Sequence, residues 1–314
     1  MLLVKSMILK KIKNKIINYI EYTNRVNSLE MHKQNVRTLY EYYSMNNKES
    51  GIVARGNDSE LIVSLTTYGE RVYTVHLVIE SLFMQTLKPN RVILWLAEDE
   101  FSGSKLPITL ISKMERGLEI RYCQDLRSYK KLIPCRELFP DANIVTVDDD
   151  VIYPHDFLEN LYLEHCEHPE DVIFTRGRII ACHSGEVKPY AEWSNNKNMC
   201  GDSLRYLPIG VGGVLYPPHS LNGEVFNQEN FQKLAPYADD LWFKTMSLLN
   251  KTQSRQTSFG RGVNSDDQFL SRFVPIEDEQ QEKLSEKNVV ERGNDAQFKR
   301  LVEFYDLMDI LMED

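Results

Sequence analysis

Three consecutive carboxylates, Asp148, Asp149 and Asp150, follow directly on the apolar run NIVTV and are themselves followed by Ile152-Tyr153-Pro154. Left unpaired, such neighbours repel one another, raise each other's pKa and cost stability, so the pattern calls for a cation. Hard carboxylate oxygens select Mg2+ or Mn2+ rather than zinc. Side chains alternate along an extended chain, which predicts Asp148 and Asp150 on one side and Asp149 on the other. One of the pair can then hold a ribose hydroxyl and the other a metal.

Four further stretches carry chemistry. Thr66-Thr67-Tyr68-Gly69-Glu70-Arg71 offers hydroxyls, an aromatic ring and an arginine to a nucleotide, although Thr66 could equally cap a helix. Asp125 precedes Arg127, Lys130 and Lys131, a basic cluster around a helix start that suits a diphosphate or, more plainly, a solvated helix end. The run Pro208–Pro218 contains Gly210, Gly212 and Gly213, which let a backbone approach a ligand closely or simply form a bulged strand. It is not a phosphate loop, because no G-x-x-x-x-G-K-[ST] is present. Asp239 and Asp240 open an amphipathic stretch, where a helix dipole favours acids without any catalysis. Trp193 suits either a sugar face or the core.

These residues need a frame. Apolar runs at 61–65, 91–96, 118–122 and 143–147 read as strands. Between them, helices are expected over 72–85, 109–117 and 128–139, the last capped by Ser128. Strands that are apolar throughout and alternate with helices make an α/β fold, a mostly parallel sheet covered on both faces. Ligands bind at the carboxyl edge of such sheets, where the stretches after the first, third and fourth strands fall, and the second half should supply the acceptor site and a base. Residues 1–58 form a separate N-terminal extension. Residues 1–20 contain five lysines and no acid, with Leu9, Ile12, Ile16, Ile17 and Ile20 at helical spacing. This helix packs on the main domain or on a second copy of the chain, a homodimer, or else rests on an anionic inner-membrane surface. A second helix is expected over 22–43 and a linker over 44–60. The main domain spans 59–275, and a charged helical segment fills 276–314.

Composition narrows the classes. The chain has 314 residues, 42% of them hydrophobic, and a formal charge of −9. Disorder is excluded, and an acidic protein is no default partner for nucleic acid. Five cysteines without a C-x-x-C argue against a disulfide or zinc framework and for a reducing cytoplasm. No apolar run reaches the ~18–20 residues of a membrane span, and no secretion signal is evident.

LIVSLTTYGERVYTVHLVIESLFMQTLKPNRVILWL, together with NIVTVDDDVIYP, resembles the nucleotide-sugar-binding half of bacterial GT-A-fold, family-2-like glycosyltransferases of surface polysaccharide synthesis, such as capsule and lipopolysaccharide. The resemblance covers roughly residues 59–275. It implies a Rossmann-like GT-A fold and Thr66, Thr67, Tyr68 and Arg71 on the first nucleotide loop. It implies Asp125 on a base or ribose contact, Lys130 and Lys131 by the diphosphate, and Asp148 on the ribose or metal. Asp150 becomes the metal ligand, Asp149 its neighbour in the nucleotide site, and Gly212 and Gly213 lie beneath the donor sugar. In the family's Glu-Asp/Asp-Asp motif the second acid, here Asp240, deprotonates the acceptor; Asp239 stands where Glu is common. The implied activity moves a sugar, from a UDP-sugar by family frequency, to a glycan or lipid-linked hydroxyl, with inversion and with Mn2+ or Mg2+. The alternatives are a nucleotidyltransferase acting on a sugar phosphate and an inactive scaffold.

Overall fold

The computed structural model describes residues 2–54, 59–195, 199–262, 266–276 and 293–313, except for the side chains of 2–22, 195 and 267. The four expected strands are present as β1 (Leu61–Thr66), β2 (Arg91–Ala97), β3 (Leu118–Cys123) and β4 (Asn143–Thr146). Four shorter strands complete the sheet: β5 (Val172–Phe174), β6 (Asp202–Ser203), β7 (Val214–Tyr216) and β8 (Ser254–Gln256). The order is β6-β8-β5-β7-β4-β1-β2-β3. β3, β2, β1 and β4 run parallel, as do β5 and β8; β7 and β6 run antiparallel to their neighbours. The architecture is therefore α/β, a Rossmann-like, mostly parallel sheet with flanking helices.

Alternation along β1 divides the core. Ile62 joins Ile93, Trp95 and Ile144 on one face, against Leu132, Trp242 and Phe243. Leu61, Val63 and Leu65 face Val78, Leu82, Phe83 and Leu158 on the other. Both faces are covered, which is why these strands read as unbroken apolar runs rather than alternating ones.

Several helices depart from expectation. The N-terminal segment is one helix, Leu2–Asn46, not two. No Gly or Pro interrupts residues 20–22, so nothing stops propagation. The membrane expectation rests on side chains of residues 1–20, which lie outside the described ones. Among the described residues no helix is long and apolar enough to cross a membrane. Residues 47–54 are not a free linker. Gly51 N–H donates to Arg116 O at 2.8 Å, and a Cβ on Gly51 would strike the Phe83 ring. Residues 55–58 lie outside the described ones. The helix end is fastened by buried charges: Lys113 Nζ stands 2.7 Å from Glu80 Oε2 and 2.8 Å from Ser44 O, and Arg116 Nη1 stands 2.5 Å from Glu80 Oε2.

The expected helix over 109–117 is two short turns, Ile108–Ile111 and Met114–Arg116, ended by Gly117 at φ +111°. The helix expected from Ser128 starts later, at Ile133. Pro134 has no N–H to give to a preceding turn, so it fits only in a helix's first turn. Residues Arg127–Lys131 form a 3-10 turn instead. This shift decides where Lys131 points. At the other end of the chain, helices Gly293–Tyr305 and Met308–Met312 pack on the domain, while 277–292 lie outside the described residues.

Candidate active site

The polar stretches expected at the sheet edge converge there in two linked groups. In the first, β1 delivers the Thr66–Arg71 loop beside the turn that follows β4. Residues Asp149 and Asp150 form that turn rather than continuing the strand, so the alternation expected for Asp148 to Asp150 does not hold. Thr67 Oγ1 donates to Asp149 Oδ2 at 2.6 Å, and Arg71 Nη1 lies 2.8 Å from Asp149 Oδ1 and 3.1 Å from Asp150 Oδ2. Asp149 and Asp150 thus share one arginine. The turn is pinned from below, because Asp148 N–H donates to the Tyr153 hydroxyl at 2.9 Å and Ile276 N–H donates to Asp150 O at 2.7 Å.

Thr67 is buried and occupied by Asp149, and Thr66 Oγ1 donates to Trp95 O. Both side chains brace the loop in this structure. Tyr68 is 39% exposed, with the Arg71 guanidinium 5.1 Å from its ring centroid, and is the loop's partly exposed aromatic ring.

The second group centres on Lys131. Its Nζ lies 3.1 Å from Asp148 Oδ1 and 2.9 Å from Asp239 Oδ2. The contact to Asp239 is an ion pair without hydrogen-bond geometry. Burial alone would lower the Lys131 pKa, but Asp148, Asp239 and Asp240 outweigh it and hold the ammonium well above its usual value. Asp239 and Asp240 open the helix Asp239–Leu249. Asp240 Oδ2 accepts from Gly210 N–H at 3.1 Å. A Cβ on Gly210 would stand 2.8 Å from Lys131 Nζ, 3.1 Å from Asp240 Oδ1 and 3.4 Å from Asp148 Oδ1. Gly210 is therefore the glycine around which the site closes.

Gly212 and Gly213 serve packing. A side chain there would collide with the Arg176 backbone at 2.8 Å and the Phe157 ring at 2.3 Å, respectively. From sequence the three glycines are equivalent, and only the contacts separate them. Trp193 is a core residue, buried, donating to Lys188 O and packed on Tyr190 and Phe298.

Five carboxylates face two cations, Arg71 and Lys131, so negative charge is in excess. Burial and then Asp148 and Asp149 push Asp150 up to about 6, although solvent still reaches 36% of its side chain and tempers that rise. Burial and then Asp239 push Asp240 up to about 7, with Lys131 opposing. A hard divalent cation fits this donor set, since it would relieve the repulsion that raises Asp150. Among the described residues no three His, Cys, Asp or Glu side chains are arranged to hold a metal alone. A diphosphate would have to supply part of the shell.

Beside these groups, clefts open at the ends of β2 and β3. One of about 480 Å³ is lined by Asp99, Asp125, Arg127, Tyr129, Phe231 and Tyr237 among others. An adjoining one of about 280 Å³ is lined by Glu98, Asp99, Gln124 and Asp125. The Asp148–Asp150 turn lines neither. Asp125 accepts from Arg127 N–H at 2.9 Å and pairs with Lys130, so Lys130 is engaged locally rather than presented to the cleft. Arg127 lies over the Tyr237 ring at 4.4 Å.

No family model matches the chain, and no curated protein matches it. Among solved structures it is similar to a CMP:2-keto-3-deoxy-manno-octonic acid synthetase complexed with CTP, at 12% identity and a TM-score of 0.34, over 63% of this chain and 89% of that one. It is also similar to a protein described as a glucose-1-phosphate thymidylyltransferase from Bacillus anthracis in complex with a sucrose, at 11% identity and a TM-score of 0.37, over 68% and 99%. Likeness at this level carries no functional argument.

Proposed function

We propose that this chain is a glycosyltransferase, moving a sugar from a nucleotide-sugar donor to an acceptor hydroxyl, with Asp240 as general base. The observation that carries this reading is the placement of Asp240. Its carboxyl is aimed by Gly210 N–H, lies across Lys131 from Asp148, and is raised to about 7. A base poised near neutral pH can accept a hydroxyl proton as the oxygen attacks. Attack opposite the leaving diphosphate is a single displacement and inverts the anomeric carbon.

Tyr68 and the clefts beside Asp125 receive the nucleoside, and Asp148 and Asp150 face the diphosphate end. When bound there with the diphosphate, Mn2+ or Mg2+ would neutralise charge on the leaving group. Lys131 keeps Asp148 and Asp239 in place, and Arg71 fixes the Asp149–Asp150 turn. The family resemblance favours a UDP-sugar donor, a glycan or lipid-linked acceptor in surface polysaccharide synthesis, and a cytoplasmic location at the inner-membrane face through residues 1–20.

The second reading is nucleotidyl transfer to a sugar phosphate. A sugar phosphate brings its own anionic nucleophile, so a raised Asp240 has no task in it. Calorimetric titration with UDP, GDP, CTP and dTTP, with and without Mn2+, separates the two. Metal-dependent binding of a nucleoside diphosphate, lost in Asp150→Ala, supports glycosyl transfer. Selective binding of a triphosphate transfers the proposal to the second reading, and binding of neither leaves a scaffold.

A further inference from the structure

Resting on that reading, we propose that the acceptor carries an anionic group, phosphate or carboxylate, close to its attacked hydroxyl, and that Arg178 receives it. Arg178 lies on the strand Gly177–Ile179, which pairs antiparallel with Ser194–Asn195 and Tyr206–Pro208 in a small second sheet. That sheet leads directly into the Gly210 turn: Ile209 N–H donates to Arg176 O at 2.9 Å. The guanidinium of Arg178 is held over the Tyr190 ring at 4.5 Å and donates to the Trp193 carbonyl at 3.2 Å. Its Nε is buried and lacks a hydrogen-bond partner among the described residues.

The other cations around the centre have carboxylate partners. Arg71 has Asp149 and Asp150, Lys131 has Asp148 and Asp239, and Arg176 has Asp266 at 2.7 Å. Arg178 has none among the described residues. A half-buried, fixed guanidinium with an idle donor is costly unless an anion completes it. Its sheet adjoins the reacting centre, since Ile209 pairs with Arg176 and the next residue, Gly210, donates to Asp240. Arg178 Nη1 also donates to the Tyr190 carbonyl at 3.5 Å, and the Tyr190 phenol lies within electrostatic reach of Asp240. Tyr190 is itself anchored, its N–H donating to Asp295 Oδ1 at 2.6 Å. An acceptor whose hydroxyl meets Asp240 therefore presents its neighbouring substituent to Arg178. A phosphate there would belong to a phospho-linked acceptor, and a carboxylate to an acidic sugar.

The test titrates the full chain with glucose 6-phosphate, glucuronate and glucose, followed by saturation-transfer NMR, in wild type, Arg178→Gln and Arg178→Lys. Wild type should prefer an anion to glucose, phosphate or uronate marking the source. Arg178→Gln should weaken that binding about ten- to a hundredfold, the value of a charge-assisted hydrogen bond, and Arg178→Lys should restore part of it. UDP and GDP binding should not change in either variant. Glucose bound as well as the anions, or anion binding kept in Arg178→Gln, overturns the proposal. So does a loss of nucleotide binding in a variant whose thermal unfolding matches wild type, since that places Arg178 on the donor. If Arg178→Gln unfolds, the anion preference of wild type and the graded loss in Arg178→Lys decide. Failure of the glycosyltransferase reading appears separately, as wild type that binds no nucleoside diphosphate.

Discussion

Replacing Asp240 by Asn should make the protein more stable at alkaline pH while removing its activity. The Asp240 carboxyl is raised from 3.8 to about 7, first by burial and then by Asp239. A carboxyl raised in the folded state holds its proton more tightly than in the unfolded chain, so wild-type stability falls as pH rises from about 4 to about 7 and is level above that. Each pKa unit is worth about 1.4 kcal/mol, so the ionised carboxylate costs at most roughly 4 kcal/mol at pH 8. Asp240 keeps a partly exposed edge, and solvent screening trims the figure to about 1–3 kcal/mol. Asn is nearly isosteric and its carbonyl oxygen can still accept from Gly210 N–H, so the packing is kept. Urea unfolding of both proteins at pH 5 and pH 8 reads the effect. The variant should gain about 1–3 kcal/mol over wild type at pH 8 and clearly less at pH 5. Equal gains at both pH values, or no gain at pH 8, would refute the assignment of a strained carboxylate. In a transfer assay the same variant should lose about 10²–10⁴ in kcat, the usual worth of a general base.

Wild-type kcat/KM should rise with pH along a limb near 7 that is absent from Asp240→Asn, measured over pH 5–9. Gly213→Ala should lower stability by about 2 kcal/mol or more, because the residue has φ +74° and its Cβ would sit 2.3 Å from the Phe157 ring. Gly210→Ala should instead act on turnover, since its Cβ would press on the movable ends of Lys131 and Asp240; differential scanning calorimetry beside the transfer assay separates the two glycines. Glu80→Gln should cost about 3–5 kcal/mol in urea unfolding by leaving Lys113 and Arg116 buried without their carboxylate. A loss below about 1 kcal/mol would mean that the end of the N-terminal helix is not held by this cluster.

The frame of the molecule is readable from the chain alone. The four main strands were legible because each is covered on both faces, which forces a continuous apolar run. With them came the sheet edge where Asp148–Asp150 stand, while the approach of Asp239 and Asp240 to it came with folding. Helix starts were less legible, because Pro134 and the long uninterrupted N-terminal run outweighed the capping signal and the expected break. The partnership of charges, by contrast, came from the way the chain folds. Local alternation placed Asp148 with Asp150, but the chain turns at Asp149, and Arg71 binds Asp149 and Asp150 together from 78 residues away. Nothing in a one-dimensional pattern separates Gly210 from Gly212 and Gly213, because their difference lies in what approaches each from elsewhere in the chain. Lys131 and Arg178 show the same limit. Both are basic residues beside apolar runs, yet one is closed between two carboxylates and the other has none among the described residues, a distinction fixed by distances that sequence separation does not encode.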